Sequence, residues 1–153
     1  MRVWRIVARK WASTAFSGEG ARIAGGRFTP VGVPAVYCTS SIALAALEIV
    51  AHADETARSK KWSLLAADVP DSLLTLVVDV KDLGRNWRHV PPPVRLQNLG
   101  KLWAQSNASL VLSVPSVLVP AERNYILNPL HPDFGRITIH APEPFSFDER
   151  LLR

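Results

Sequence analysis

Glu48 is the residue whose surroundings most strongly indicate chemistry. It is the only charged residue between Ile42 and Ala51, in a segment made otherwise of alanine and branched aliphatic residues. A carboxylate in apolar surroundings is costly unless it is paired, so a carboxylate in such a segment usually has a function. Held in this way, it can stabilise a positive charge that develops during a reaction. A helix face that touches solvent, with Glu48 paired to a lysine, is the alternative interpretation.

His52 lies four residues after Glu48, so a helix would place both side chains on one face. Together they would be half of a metal site, which His131, Asp133 or His140 would have to complete. The sequence contains no HExxH motif, and these residues are loosely spaced. We therefore predict no metal site and expect His52 to be a hydrogen-bonded structural histidine.

Arg27 is a candidate ligand for phosphate. It follows Gly25-Gly26 and precedes Phe28. Glycines let a backbone approach a ligand closely, and the arginine fork binds phosphate oxygens through two parallel hydrogen bonds. The pattern is neither a Walker loop nor a GxGxxG turn. A plain surface turn is the alternative interpretation.

Three further residues carry reactive groups. We interpret Cys38 as a small buried hydrophobic residue, because a nucleophilic cysteine needs a neighbouring base. Tyr37 belongs either to the core or to a site where its ring and hydroxyl face a ligand. Ser116 lies between Pro115 and Val117 in an apolar stretch, where a buried hydroxyl needs a hydrogen-bond partner. The absence of a GxSxG motif argues against a serine hydrolase.

Five segments with the composition of strands must position these residues. They span residues 2–8, 35–38, 73–80, 110–119 and 136–140. We predict that 73–80 is a buried strand and that 110–119 is bent or split at Pro115. Residues 17–26 contain four glycines and are predicted to form a loop. Residues 120–135, rich in polar and turn residues, are predicted to form a second loop.

Two helices are predicted between these strands. The first runs from Ile42 to about Ala53 and follows the hydroxyl residues Thr39, Ser40 and Ser41, which are favourable N-caps. The second helix opens after the three prolines at 91–93 and includes apolar residues at helical spacing. Strands outnumber helices, and their order is irregular. This favours an α+β fold, with a compact mixed sheet and a few helices.

Composition limits the class of protein. The chain has 153 residues, of which 48% are hydrophobic and 20% are charged. These values are typical of one globular domain, which we expect to span residues 1–153. A chain of this length buries roughly two-thirds of the surface that it exposes when unfolded. Disordered, collagen-like and coiled-coil proteins are therefore excluded.

The net charge of +5 suits an anionic partner: nucleic acid, an anionic small molecule or an acidic protein. The basic residues are scattered, and no aromatic–basic RNA-binding motif is present, so we expect no direct contact with nucleic acid. The single cysteine excludes an intramolecular disulfide and a zinc site built from cysteines. Neither a signal-peptide pattern nor an apolar stretch long enough for a membrane span occurs. We therefore expect a cytoplasmic protein.

Four motifs follow one another along nearly the whole chain. They are Gly25-Gly26-Arg27-Phe28, Val36-Tyr37-Cys38-Thr39-Ser40, Leu44-Ala45-Ala46-Leu47-Glu48 with His52, and Val114-Pro115-Ser116. The last continues into Glu122-Arg123-Asn124-Tyr125-Ile126-Leu127-Asn128-Pro129 and His131-Pro132. In this order and spacing, the motifs resemble the RES domain family, toxins of bacterial toxin–antitoxin modules named after an Arg, a Glu and a Ser. The family often has Trp followed by Asn where this chain has Phe28-Thr29.

The resemblance implies a fold like that of the ADP-ribosyltransferase toxins, with a cleft that binds NAD as the substrate and no resident cofactor. It implies cleavage of the nicotinamide–ribose bond by hydrolysis or, with inorganic phosphate as co-substrate, by phosphorolysis. Some members instead ADP-ribosylate a protein, and a non-catalytic binding module on the same fold is a further alternative. The resemblance also implies an antitoxin with an Xre-type helix-turn-helix domain that covers the active site, and a homodimer within the complex.

The family's roles fall on a small set of residues in this sequence. The resemblance assigns catalysis to Arg27, Tyr37, Glu48 and Ser116, and substrate binding to Arg27, Phe28, Tyr37, Ser116 and Asn128. Departure of nicotinamide leaves an oxocarbenium-like ribose, which Glu48 would stabilise. Arg27 would clamp the pyrophosphate, Tyr37 would position the nicotinamide ribose, and Ser116 would orient the ribose or the amide.

Overall fold

Eight strands form one mixed sheet in the computed structural model, which describes residues 1–152. The strands are β1 (Arg2–Ala8), β2 (Val36–Thr39), β3 (Trp62–Asp68), β4 (Thr75–Val77), β5 (Val111–Pro115), β6 (Arg123–Leu127), β7 (Thr138–Ile139) and β8 (Glu143–Phe145). Their order is β4-β5-β6-β2-β1-β3-β7, and β8 also pairs with β3. Only β4 and β5 are parallel; the other pairs are antiparallel.

Strand pairing is least extensive near the centre of the sheet, between β1 and β2. β1 pairs with β3 along its whole length, from Arg2 opposite Asp68 to Ala8 opposite Trp62. Its pairing with β2 is limited to one position, Trp4 opposite Thr39. A side chain reinforces this junction, because Arg5 Nη1 donates a hydrogen bond of 2.6 Å to the Tyr37 carbonyl oxygen.

Three α-helices accompany the sheet: α1 (Glu19–Ala24), α2 (Ile42–Ala51) and α3 (Val94–Ser106). Both predicted helices are confirmed. The N-cap of α2 is Ser41, whose Oγ accepts a hydrogen bond of 3.1 Å from the backbone N–H of Leu44. α3 begins after Pro93 and ends at Asn107, which has a left-handed backbone with φ of 51°. Within residues 1–152, no helix has the length and apolarity that crossing a membrane requires.

The core is divided between the two faces of the sheet. One face carries a cluster that includes Val3, Val36, Cys38, Val111 and Leu127. The opposite face carries the helices: α2 packs there with Ile6 and Trp62, and α3 packs there with Leu112, Val114 and Ile126. Since successive side chains on a strand alternate between faces, Tyr37 lies on the helix-bearing face while Cys38 points away from it.

The predicted loop at residues 17–26 is wrong in its central part, because α1 occupies Glu19–Ala24. Gly18 and Gly25 flank this short helix with φ of +78° and +71°, conformations that favour glycine. Glu19 and Arg22 form an i,i+3 ion pair within it, with 2.6 Å between Oε1 and Nε. The glycines that indicated a loop therefore cap a helix.

Other corrections concern strands. Residues 73–80 are not a buried strand: only β4 forms, at the edge of the sheet, and Leu76 and Val77 are exposed. Residues 110–119 contain the single strand β5, which ends at Pro115. The predicted loop at 120–135 contains β6, which lies between β5 and β2. No strand was predicted at β3, which pairs with the whole length of β1.

Candidate active site

A cleft of about 530 Å³ opens on the helix-bearing face. α2 contributes Glu48, its C-cap residue is His52, and α3 contributes Gln97. The segment from α1 to β2 supplies Arg27 and Phe28, together with the glycines between them and α1. The cleft therefore collects side chains from segments that are far apart in the sequence.

Glu48 is half-buried in this cleft and is held from two directions. Its Oε1 accepts a hydrogen bond of 2.8 Å from Nδ2 of Asn124 on β6. Ser116 Oγ lies 3.5 Å from the same oxygen. Of the apolar run that made Glu48 conspicuous, Leu44 and Ala45 enter the core, whereas Leu47 is exposed.

Ser116 lies behind Glu48 and is fully buried, so it is not part of the cleft surface. Its Oγ accepts hydrogen bonds from the backbone N–H groups of Leu118 and Val119, at 3.1 and 3.2 Å. With both bonds made, the hydroxyl proton is directed to Glu48. The buried Ser116 hydroxyl therefore has the hydrogen-bond partners that were expected from the sequence. One of them is Glu48, the candidate catalytic carboxylate.

Arg27 lies at the wall of the cleft, and its guanidinium forms hydrogen bonds with the backbone of a neighbouring loop. Nη1 donates hydrogen bonds of 2.9 and 2.8 Å to the carbonyl oxygens of Trp87 and His89. Within residues 1–152, Nε and Nη2 of Arg27 make no hydrogen bond and remain available to an anion. Burial lowers the pKa of Arg27, and the nearby Glu48 carboxylate opposes that change. The guanidinium remains charged at neutral pH.

Tyr37 is a fixed part of the cleft floor. Its hydroxyl accepts a hydrogen bond of 3.2 Å from the backbone N–H of Phe28 and lies 2.8 Å from Thr29 Oγ1. Burial raises the pKa of Tyr37, so the phenol is protonated at neutral pH. Gly26 lies against the ring, and a Cβ there would come within 2.5 Å of the hydroxyl oxygen. Tyr37 therefore sets the path of the loop that carries Arg27.

Phe28 is buried and belongs to the cluster under α3 while also lining the cleft. Thr29 is in the position where the family often has Asn. It is fully buried, and its hydroxyl forms a hydrogen bond with the hydroxyl of Tyr37. Gln97 of α3 donates a hydrogen bond of 3.0 Å to the carbonyl oxygen of Gly26. α3 thus supports Phe28 and the loop that carries it.

Asn128 lies outside the cleft, at the end of β6. Its Nδ2 donates hydrogen bonds of 3.0 Å each to the carbonyl oxygen of Ala104 and to Asn107 Oδ1. Its Oδ1 accepts a hydrogen bond from the Leu130 N–H. The side chain therefore joins β6 to the end of α3, and the structure does not bring it to Glu48 with the other predicted residues.

Two cleft residues were missed by the sequence analysis. Asn124 was included only in a longer motif, and its contact with Glu48 gave no local signal. Arg5, in the middle of β1, lines the same cleft. Its Nε is buried without a hydrogen-bond partner among the described residues, and burial lowers the pKa of this guanidinium. An arginine within an apolar strand was the available signal for Arg5.

His52 and Cys38 have structural environments. His52 caps the end of α2, with 2.8 Å between its Nδ1 and the backbone oxygen of Glu48. Cys38 is buried, and burial raises the pKa of its thiol to about 12. In the part of the chain that the structure describes, no three His, Cys, Asp or Glu side chains lie close enough to hold a metal ion.

Comparison with protein families shows which family the chain belongs to. The sequence model of the RES domain family matches residues 2–148. The chain belongs to the RES domain family. This RES domain is 37% identical to Toxin Res of Yersinia enterocolitica over 152 residues, which cover 99% of each chain. It is also 38% identical to the Prs ADP-ribosylating toxin of a Sphingobium species over 154 residues, covering 98% of this chain and 96% of the relative.

A solved structure shares the fold of this RES domain. A chain of the MbcT–MbcA toxin–antitoxin complex of M. tuberculosis superposes with a TM-score of 0.77 and 18% sequence identity. The match covers 95% of this chain and 84% of that chain. The α+β fold predicted from the number and order of the strands and helices is therefore confirmed.

Proposed function

We propose that this RES domain is the toxin of a toxin–antitoxin pair and that it cleaves the nicotinamide–ribose bond of NAD. The observation that carries the proposal is the placement of Glu48: a carboxylate fixed by Asn124 in a cleft that also contains Arg27 and Tyr37. NAD combines anionic phosphates with a ribose that becomes positively charged as nicotinamide leaves. The Arg27 guanidinium and the Glu48 carboxylate, which line the same cleft, suit these two ends.

The role of Glu48 follows from the positive charge that develops on the ribose as nicotinamide leaves. The bond between ribose C1′ and the nicotinamide nitrogen breaks with its electron pair remaining on nitrogen, so neutral nicotinamide leaves an oxocarbenium-like ribose. Glu48 stabilises that positive charge, and its electrostatic effect is strong because the carboxylate is half-buried. In hydrolysis, water then bonds to C1′ and loses a proton, which gives ADP-ribose. In phosphorolysis, inorganic phosphate forms that bond instead.

The other cleft residues hold the substrate. Nε and Nη2 of Arg27 are directed to the pyrophosphate, while its Nη1 keeps the neighbouring loop in place. Tyr37 and Phe28 present aromatic surface to the nicotinamide end. Ser116 acts through Glu48, because it is buried behind that carboxylate.

An antitoxin partner is part of this proposal. Its support is the similarity to proteins named Toxin Res and the shared fold with a chain of the MbcT–MbcA toxin–antitoxin complex. An Xre-type antitoxin would cover the cleft and supply the contacts with DNA, and the pair would contain a toxin dimer and act in the cytoplasm. The net charge of +5 suits an acidic segment of such a partner.

Protein ADP-ribosylation is the second candidate function. It is supported by the 38% identity to the Prs ADP-ribosylating toxin. The first step is the same cleavage of the nicotinamide bond, and a protein side chain replaces water or phosphate as the acceptor. The cleft is open on one side, as an incoming protein side chain requires.

Nicotinamide release from NAD by the purified chain tests the proposal, measured with and without phosphate. We expect Glu48→Gln, which keeps the shape but removes the charge, to lower release on the order of 100- to 1000-fold. Glu55→Gln, a matched change at an exposed carboxylate outside the cleft, should leave release unchanged. ADP-ribose as the product indicates hydrolysis, and ADP-ribose 1-phosphate indicates phosphorolysis.

A second assay separates the remaining alternatives. NAD labelled in its adenylate phosphate, incubated with the chain and a bacterial extract, should label a protein if transfer is the activity. Binding of NAD without release or labelling would indicate a non-catalytic module and contradict NAD cleavage. Release that persists in Glu48→Gln would contradict the mechanism.

A further inference from the structure

The two oxygens of the Glu48 carboxylate have different surroundings. Oε1 receives the hydrogen bond from Asn124 Nδ2 at 2.8 Å and has Ser116 Oγ at 3.5 Å. Oε2 receives no hydrogen bond from any side chain or backbone group in residues 1–152. One oxygen is thus held by the protein, and the other is left for a ligand in the cleft.

The orientation of the Asn124 amide is dictated by Glu48. An ionised carboxylate only accepts hydrogen bonds, so the NH₂ group must face it, and a flipped amide would set oxygen against oxygen. Asn124 Oδ1 is buried and has no partner among the described residues. A buried acceptor without a partner destabilises the folded protein. Folding stability alone therefore does not account for an asparagine at this position.

The two residues also differ in rigidity. Asn124 lies in β6, with Thr39 of β2 opposite it on one side and Val114 of β5 opposite it on the other. A short side chain on a strand that is paired on both edges is a fixed anchor. Glu48 has a longer and more flexible side chain, whose rotation would carry its carboxylate away from the cleft.

From this geometry we propose that Asn124 is a positioning residue for Glu48: it holds Oε1 so that Oε2 faces the ribose. The proposal rests on the proposed NAD cleavage. It predicts that the loss of Asn124 acts on the chemical step rather than on the binding of NAD, because Asn124 acts through the carboxylate that stabilises the transition state.

Steady-state nicotinamide release by Asn124→Ala and Asn124→Asp tests the proposal. We expect Asn124→Ala to lower kcat on the order of 10- to 100-fold, with KM for NAD changed less than about threefold. Asn124→Asp keeps the shape but replaces the donor with a second acceptor, so kcat should fall at least as far. Retention of wild-type kcat by Asn124→Asp would overturn the proposal, since packing would then explain the residue.

Tyr125→Phe is the matched control on the same strand. Tyr125 follows Asn124 in β6 and packs against the core cluster on the other face of the sheet. Its kcat and KM should equal those of the wild type. If Tyr125→Phe lowered kcat as much as Asn124→Ala, then kcat would be sensitive to any substitution in β6. That result would overturn the specific role of Asn124.

A readout that needs no turnover distinguishes this proposal from the proposed function. The side-chain NH₂ protons of Asn124 in ¹⁵N-labelled wild-type protein should exchange slowly with solvent, and Glu48→Ala should speed that exchange at least tenfold. Equal exchange in both proteins would overturn the positioning contact. Slow exchange in a wild-type protein that releases no nicotinamide would instead overturn NAD cleavage and leave the contact established.

Discussion

Gly100 of α3 lies directly against the carbonyl oxygen of Phe28. A Cβ at position 100 would overlap that oxygen, so the helix approaches the backbone of the loop without an intervening side chain. Gln97, one turn earlier, donates its hydrogen bond to Gly26 of the same loop. α3 thereby fixes the backbone on both sides of Arg27.

Gly100→Ala should destabilise the protein, although alanine is normally favoured over glycine within a helix by up to about 1 kcal/mol. The added Cβ must displace Phe28, and overpacking of this kind typically costs about 1–3 kcal/mol. Urea unfolding measures this change. Gly20→Ala is the matched control, because a Cβ on this α1 glycine meets no atom within 4 Å. Equal unfolding free energies for the two variants would contradict the close contact between α3 and the loop.

Tyr37→Phe should lower the unfolding free energy by about 1–3 kcal/mol, because the buried N–H of Phe28 and the hydroxyl of Thr29 lose their shared partner. The chain has two tyrosines, so Tyr125→Phe is a direct comparison. Within residues 1–152, the Tyr125 hydroxyl makes no hydrogen bond, and its removal should change stability little. If both variants unfold at the same urea concentration, the Tyr37 hydroxyl does not hold the loop.

Asp68 should make stability dependent on pH in the acid range. Hydrogen bonds from Arg2, at 2.7 and 2.9 Å, and from His140, at 2.7 Å, hold the pKa of the Asp68 carboxyl well below its ordinary value of 3.8. Because the folded-state pKa is lower than the unfolded-state pKa, the stabilisation is complete above pH 3.8. It is lost as the pH falls toward the folded-state pKa.

The melting temperatures of wild type and Asp68→Asn test this dependence. At neutral pH the wild type should melt higher, and the difference should shrink as the pH falls below 3.8. High salt should reduce the difference, because these side chains are partly exposed. A difference that stays constant over this pH range would show that Asp68 contributes through something other than its charge.

The sequence predicted the elements whose signals lie within a few neighbouring residues. β1 was predicted with its observed bounds because its apolar residues are uninterrupted by turn residues. α2 was predicted from its N-cap and apolar run, and that run also made Glu48 conspicuous. The order of the motifs was enough to indicate the RES domain family, which the match over residues 2–148 confirms.

Prediction failed where a local pattern had more than one structural outcome. The glycines near α1 cap a helix instead of forming a loop, because their positive φ angles lie at its two ends. The apolar run at 73–80 was predicted to be buried, but pairing with β5 on one side only leaves β4 at an edge. The polar residues in and around β6 led to the prediction of a loop, although this strand lies inside the sheet.

The sequence by itself determined that Glu48 is an unusual carboxylate and that Arg27 and Tyr37 belong to the same family pattern. Only the tertiary structure decided how these residues are held. Asn124 and Glu48 are 76 positions apart, and Ser116 and Glu48 are 68 apart. Arg5 comes from a fourth segment, β1. Local sequence sets the conformation of each segment, whereas contacts between distant side chains depend on strand pairing and helix packing, which the whole chain establishes together.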